Sequence, residues 1–227
     1  MSLFSLFFPR TCPACGGYIS DKQVALEHIE WICPDCWRHL PRTEQDVLRQ
    51  NSTEDLFPQA VQAWAYLFYE KGHPIQDIIH RMKYADQPKL GYWMGRQAVL
   101  DCRNETFFDG IDVIVPVPLH PRRLRERGYN QSEYIAKGIS ELTGIPIDTT
   151  HVTRTRNTPK QALQSGDERL HNVEGAFAVN HPEQMYHKHI LVVDDLITTG
   201  ETMRECLKAM KEFRGASFSV FALCKAR

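Results

Sequence analysis

The stretch that most constrains this chain is HILVVDDLITTGET, from His189 to Thr202. Ile190 to Val193 are apolar without a break, which leaves the segment no polar face. A strand of that kind is covered on both sides, and such strands belong to parallel sheets sandwiched between helices. The apolar run ends in two adjacent carboxylates, Asp194 and Asp195, followed by Thr198, Thr199, Gly200, Glu201 and Thr202. Beyond them Met203, Cys206, Leu207 and Met210 fall at helical spacing, so the segment reads as strand, loop and helix.

Other segments repeat the alternation. IDVIVPVP, Ile111 to Pro118, reads as a buried strand stopped by its prolines, and Ile135, Ile139 and Leu142 mark the next helix, with TGIP as its stop signal. Ile75, Ile78, Ile79 and Met82 recur at i, i+3, i+4 and i+7 on an earlier helix, and SFSVFALC supplies a last strand. The expected fold class is α/β, with a mainly parallel sheet flanked by helices over residues 59–227. The polar, proline-bounded residues 41–58 read as a linker or peripheral helix, and residues 1–40 as a separate cysteine-centred segment.

Open α/β sheets bind ligands beyond the carboxyl ends of their strands, where a helix N-terminus offers unpaired backbone N–H groups. Thr198 to Thr202 make such a loop. Gly200 allows close approach of the backbone, and the threonine hydroxyls add donors for a phosphate. Asp194 and Asp195 would repel that phosphate, so they call for a group that donates hydrogen bonds. A ribose diol whose 5-phosphate lies in the loop meets both demands. The competing assignment is a capping box, with Thr198 as N-cap and Glu201 at the third helical position, and the aspartates merely solvated.

A second charged cluster follows the Ile111–Pro118 strand. Arg122, Arg123, Arg125 and Arg127 stand against one acid, Glu126, and suit bidentate binding of pyrophosphate or another polyanion. The alternative is a solvated basic turn. The formal net charge of -1 offers no overall attraction for a polyanion, so any such site must be local. No apolar run approaches the roughly 18 residues of a membrane span. MSLFSLFFPR lacks the features of a secretory leader and reads as a short amphipathic lead-in, so a cytoplasmic location is expected.

The seven cysteines divide in two. Cys12 and Cys15 lie in CPAC and Cys33 and Cys36 in CPDC, a spacing that lets four thiolates close around one structural Zn²⁺. A redox or disulfide use is the alternative for these four. Cys102, Cys206 and Cys224 stand alone and read as small buried hydrophobes.

VVDDLITTGET resembles the phosphoribosyl-pyrophosphate signature of type I phosphoribosyltransferases. Together with PVPLHPRRLRERGYNQSEYIA, VTRTRNTPKQALQSGDERLHNVEGAF and the CPxC pairs, the whole chain resembles the bacterial ComF/GntX family. The resemblance implies a type I phosphoribosyltransferase fold, a zinc-binding N-terminal segment and a role in handling transforming DNA. It also implies a mobile loop from Arg154 to Leu170, with Arg154, Arg156, Lys160 and Arg169 as phosphate contacts, where the residues alone would equally allow an exposed polar loop. The expected ligand is phosphoribosyl pyrophosphate or a ribose 5-phosphate compound, with Mg²⁺ held mainly by that ligand. Single-stranded DNA and competence-machinery proteins are expected partners, with Tyr129 and Tyr134 as candidate stacking aromatics or, equally, helix core. The second reading is a Mg²⁺-dependent phosphoribosyltransferase acting on an unidentified base or amine.

Overall fold

The computed structural model describes residues 10–20, 30–43, 57, 59–84, 87–102, 106–156 and 175–227. At its centre lies β5, His189–Ile197, whose apolar run is fully buried between two parallel neighbours. On one side is β6, Ser217–Ala226, followed by β1, Ala60–Tyr69; on the other is β2, Val113–Pro116. All three pairings of this β1-β6-β5-β2 sheet are parallel. A two-stranded antiparallel ribbon of β3, Val152–Arg154, and β4, Phe177–Val179, stands apart from it.

Among the described residues, each edge of the large sheet carries one bridge. Arg42 pairs antiparallel with Leu67 of β1, with Thr43 N–H donating to Tyr66 O and Phe68 N–H to Pro41 O. Ile147 pairs parallel with Ile114 of β2.

The helices follow the expected apolar faces except at Leu142, which is exposed at the last turn of its helix while Ile135 and Ile139 are buried. In α2, Ile75–Tyr84, all four positions at helical spacing are buried. This helix follows a short α1, Pro34–Arg38, which belongs to the cysteine segment. Next comes α3, Pro88–Leu100, and after β2 come α4, Pro121–Arg127, and α5, Gln131–Thr143. The chain leaves β2 and turns into α4 at His120, whose Nδ1 accepts from Arg122 N–H at 3.2 Å. Asn130 then fixes the start of α5: its Oδ1 accepts from Ser132 N–H, and its Nδ2 donates to Val117 O at 3.0 Å, tying the helix to the end of β2. The anticipated stop is present as Gly144, in the left-handed conformation at φ 74°.

α3 and α5 pack backbone against backbone. A Cβ on Gly138 would lie 2.0 Å from Tyr92 O, and one on Gly95 would lie 2.3 Å from Ile135 O, so the contact requires glycine at both places. The last helix, α6, Glu201–Ala209, buries Met203, Cys206 and Leu207, and Met210 is buried in the 3₁₀ turn that follows.

β5 includes Asp194 and Asp195, as the sequence suggests, and runs on to Ile197. The capping box is not formed: Gly200 is the N-cap of α6, at φ 78° and with no side-chain cap, and Glu201 is the first helical residue. The lead-in Met1–Pro9 and most of the expected linker lie outside the described residues.

Candidate functional site

Asp194 and Asp195 are both buried, at 8 % and 4 % exposure, at the carboxyl end of the central strand. Ser132 Oγ donates to Asp194 Oδ1 at 2.9 Å, and the Asp195 N–H donates to the same oxygen at 2.8 Å. Asp195 has a cation of its own, with Lys83 Nζ 2.6 Å from Oδ2, and accepts from Gln131 Nε2 at 3.3 Å on Oδ1. The two acids are shifted in opposite directions. Burial and the neighbouring charge of Asp195 push Asp194 up to about 7. Burial would raise Asp195 as well, but the Lys83 ammonium and the donated hydrogen bonds outweigh it and hold this carboxyl below its ordinary range.

Four arginines were expected to act together, but helix α4 divides them. Arg122 and Arg125 point to solvent, and Arg122 Nε donates to Glu126 at 2.9 Å. Arg123 and Arg127 are half-buried, one turn apart. Burial and then the charge of Arg127 disfavour the Arg123 cation. Burial likewise disfavours the cation of Arg127, which the charges of Asp195 and Asp194 support.

Arg154 joins this group. The chain places it in β3 and buries it to 8 % exposure, so it is a strand residue rather than part of a surface loop. Burial and the Arg123 charge disfavour its guanidinium, and Asp194 favours it. Arg127 and Arg154 therefore feel the carboxylate pair and Arg123 feels both of those cations, an arrangement that a bound anion would relieve. Arg156 is exposed, and Lys160 and Arg169 lie outside the described residues.

The expected phosphate loop borders this cluster. Thr198 and Thr199 are exposed, while Gly200 is buried at the mouth of α6 and Glu201 and Thr202 are half-buried in its first turn. Tyr129 has a different task from stacking: it is buried, and its hydroxyl donates to Met82 O at 2.6 Å, pinning the start of α5 to α2. Tyr134 packs edge-on against it, with centroids 5.8 Å apart, and carries the Lys137 ammonium 4.6 Å from its ring centre.

Sequence reasoning missed Lys83, Gln131 and Ser132. Lys83 did leave a signal, because Ile75, Ile79 and Lys83 stand at i, i+4 and i+8 on the buried stripe of α2, where a lysine needs an acid.

The cysteine segment forms a second site. The four sulfurs of Cys12, Cys15, Cys33 and Cys36 lie within 4.8 Å of one another, and those of Cys15 and Cys33 are 3.8 Å apart. That separation matches the edge of a tetrahedron with metal–sulfur bonds of about 2.3 Å. Gly17 N–H donates to Cys15 Sγ and Cys33 N–H to Cys12 Sγ, as expected around thiolate ligands. Burial, followed by the crowding of neighbouring sulfurs, pushes Cys36 up. A bound cation would reverse that cost, and the donor set fits a metal ion. Cys206 and Cys224 are buried and Cys102 partly so, as the lone cysteines were expected to be.

The segment docks through Trp37, edge-on to Trp93 at 5.0 Å, and through Arg42, which stacks on Trp37 and donates to Asp101 Oδ2 at 3.0 Å. The Tyr66 hydroxyl also donates to Asp101.

The phosphoribosyl transferase domain family matches residues 130–227, which span α5, β5, α6 and β6. DNA utilization protein YhgH of Salmonella typhimurium is 32 % identical over 217 residues, covering 94 % of this chain and 83 % of that protein. The chain belongs to the ComF/GntX family. Competence protein F of Haemophilus influenzae is 27 % identical, covering 96 % of this chain and 86 % of its own length. Competence protein ComFC of Bacillus subtilis is 26 % identical, covering 95 % and 78 % respectively. With the parallel sheet, these matches establish the type I phosphoribosyltransferase fold. No helix among the described residues is long and apolar enough to cross a membrane.

Proposed function

We propose that this chain binds phosphoribosyl pyrophosphate, or a related sugar phosphate, and handles single-stranded DNA in the cytoplasm during natural transformation. What supports the ligand is the buried Asp194–Asp195 pair with Arg127 and Arg154 acting on it and Arg123 beside those two cations, at the strand end that leads to α6. Cations and anions at one strand end suit a molecule that is anionic at two places and a hydrogen-bond donor between them. The ribose 2- and 3-hydroxyls would donate to the aspartates, and a protonated Asp194 would still offer an acceptor oxygen. The 5-phosphate would take the amides around Gly200 and the hydroxyls of Thr198, Thr199 and Thr202, with Glu201 at the rim. The pyrophosphate would lie on these guanidiniums, with Arg156 and, outside the described residues, Lys160 and Arg169 as further candidate phosphate contacts. Mg²⁺ would arrive mainly on the ligand's phosphates.

Arg122 and Arg125, exposed on the outer side of α4, would track a DNA backbone, and the names of the relatives, DNA utilization and competence proteins, support that partner and competence-machinery proteins beside it. Zn²⁺ would fill the four-cysteine site as a structural ion, since all four positions are protein thiols.

Two assays on one preparation test the reading. Calorimetry should detect phosphoribosyl pyrophosphate binding in the presence of Mg²⁺. Fluorescence anisotropy should show single-stranded DNA binding that weakens steeply with salt, as phosphate contacts require. Pyrophosphate release with one base or amine, without DNA binding at low salt, would instead establish a Mg²⁺-dependent phosphoribosyltransferase on the same residues. Absence of phosphoribosyl pyrophosphate binding would remove the sugar-phosphate assignment.

A further inference from the structure

Lys83 closes a ring of contacts around Asp195. Its Nζ lies 2.6 Å from Asp195 Oδ2, with the two side chains 20 % and 5 % exposed. Gln131 Nε2 donates to the other oxygen at 3.3 Å, Arg127 Nη1 donates to Gln131 Oε1, and the Arg127 guanidinium rests 5.2 Å from the centre of the Tyr84 ring. Tyr84 is the residue after Lys83, so the ring returns to its start after joining α2, β5, α5 and α4. It holds two cations and one anion, and its members connect the arginine cluster to the carboxylate pair.

A phosphate drawn onto Arg127 competes with Gln131 and Tyr84 for that guanidinium, and it presents charge to Lys83, the next cation in the ring. A hydroxyl seeking Asp195 Oδ2 meets Lys83 already there. Each event is easier when the other has happened. We infer that Lys83 is a positioning residue that occupies Asp195 until an anion engages Arg127, so that anion binding on the arginines and hydroxyl binding at Asp195 are energetically coupled. The inference rests on the sugar-phosphate reading of this site. Its two states are defined: Lys83 on Asp195, or Lys83 on the anion with Asp195 accepting from the sugar. Leaving Asp195 without either partner would strand a buried charge, which disfavours half-filled states and makes the coupling reciprocal.

The test uses the full chain with Mg²⁺ and two separate probes, ribose 5-phosphate and inorganic pyrophosphate. Saturating pyrophosphate should tighten ribose 5-phosphate at least about fivefold, the scale of a genuine coupling between sites. Lys83→Met should abolish that tightening, and Lys83→Arg should restore it in part. A second readout is the pH profile of ribose 5-phosphate binding. Asp195 is faced by Lys83 from α2, Gln131 from α5, Arg127 from α4, Asp194 on its own strand and Cys224 from β6. Removing the ammonium raises Asp195, so binding in Lys83→Met should fail at a higher pH than in the wild type as the solution is acidified. Tightening that survives Lys83→Met, with an unchanged pH profile, would overturn the inference. Wild-type protein that binds both probes independently would overturn the coupling and leave the sugar-phosphate reading intact. Wild-type protein that binds neither would overturn both.

Discussion

The cysteine cluster and the carboxylate site both hold groups of like charge close together, and they do so by opposite means. Cys12, Cys15, Cys33 and Cys36 come from two tight turns, organised by short-range bonds such as Gly16 N–H to Cys12 O and Trp37 N–H to Cys33 O. A metal ion bound by these four sulfurs would supply the compensating positive charge from outside. Asp194 and Asp195 are neutralised from within, by a lysine of α2, a serine and a glutamine of α5 and arginines of α4 and β3. The first site is assembled by local sequence and is fitted to an outside ion, whereas the second depends on the whole topology.

Metal removal should break that contrast most visibly if it is wrong. Structural zinc contributes on the order of 10 kcal/mol or more to the folding of small cysteine modules. Cys33→Ser, or chelation, should abolish hydrogen-exchange protection over residues 10–20 and 30–43 and leave the amides of β5 and β6 protected. Elemental analysis should find about one zinc per wild-type chain. Equal loss of protection in the sheet would make the two regions a single unit.

The next largest effect should separate the two aspartates. Asp195→Asn leaves Lys83 without its anion and should cost about 3–5 kcal/mol, as measured by denaturant unfolding near neutral pH. Asp194→Asn replaces a carboxyl that burial already tends to protonate, and should cost much less. The sign with pH follows from the shift. Asp194 binds its proton more tightly folded than unfolded, so its contribution is fully present below its ordinary value of 3.8 and is lost as pH rises toward about 7. Asp195, held low, contributes above its ordinary value and loses that contribution as pH falls. Asp194→Asn should flatten the decline between pH 4 and 7, and a decline that persists would assign it to another group.

Gly138→Ala tests the scaffold beneath the site. The added methyl meets Tyr92 O, and the strain should cost about 1–3 kcal/mol or more while leaving zinc content unchanged. A neutral result would mean that α3 and α5 separate easily. The smallest effect belongs to Arg122→Ala, which removes an exposed pair with Glu126 worth about 0.3–0.5 kcal/mol. Its stability should hardly change, while single-stranded DNA binding should weaken.

These contrasts mirror what the sequence made legible. β5 was readable because Ile190 to Val193 can satisfy only a doubly covered strand, and α2 and α6 because their apolar residues keep helical spacing. The metal site was readable because its ligands are neighbours in the chain. β1 was harder to read, since VQAWAYLFY alternates weakly and its partner β6 lies at the far end of the sequence. Arg154 looked like a loop residue because three-residue strands carry too little pattern to announce themselves. The even run of arginines concealed its own division, because only the seating of α4 decides that Arg127 acts on Asp195 and Asp194 while Arg122 and Arg125 are exposed. Lys83 was the recoverable omission, a charged residue on an apolar stripe.

The bridge between Arg42 and Leu67 gives the cysteine segment a protective role at the sheet's margin. An open strand edge is a template for another chain, and proteins guard such edges against polymerisation. β1 is ten residues long and apolar along much of its length, and Pro41 to Thr43 occupy its outer hydrogen-bonding positions near Tyr66 and Phe68. Stripping the metal would loosen that guard and offer β1 to a second molecule, so loss of zinc should appear first as concentration-dependent aggregation, before any loss of the central strands.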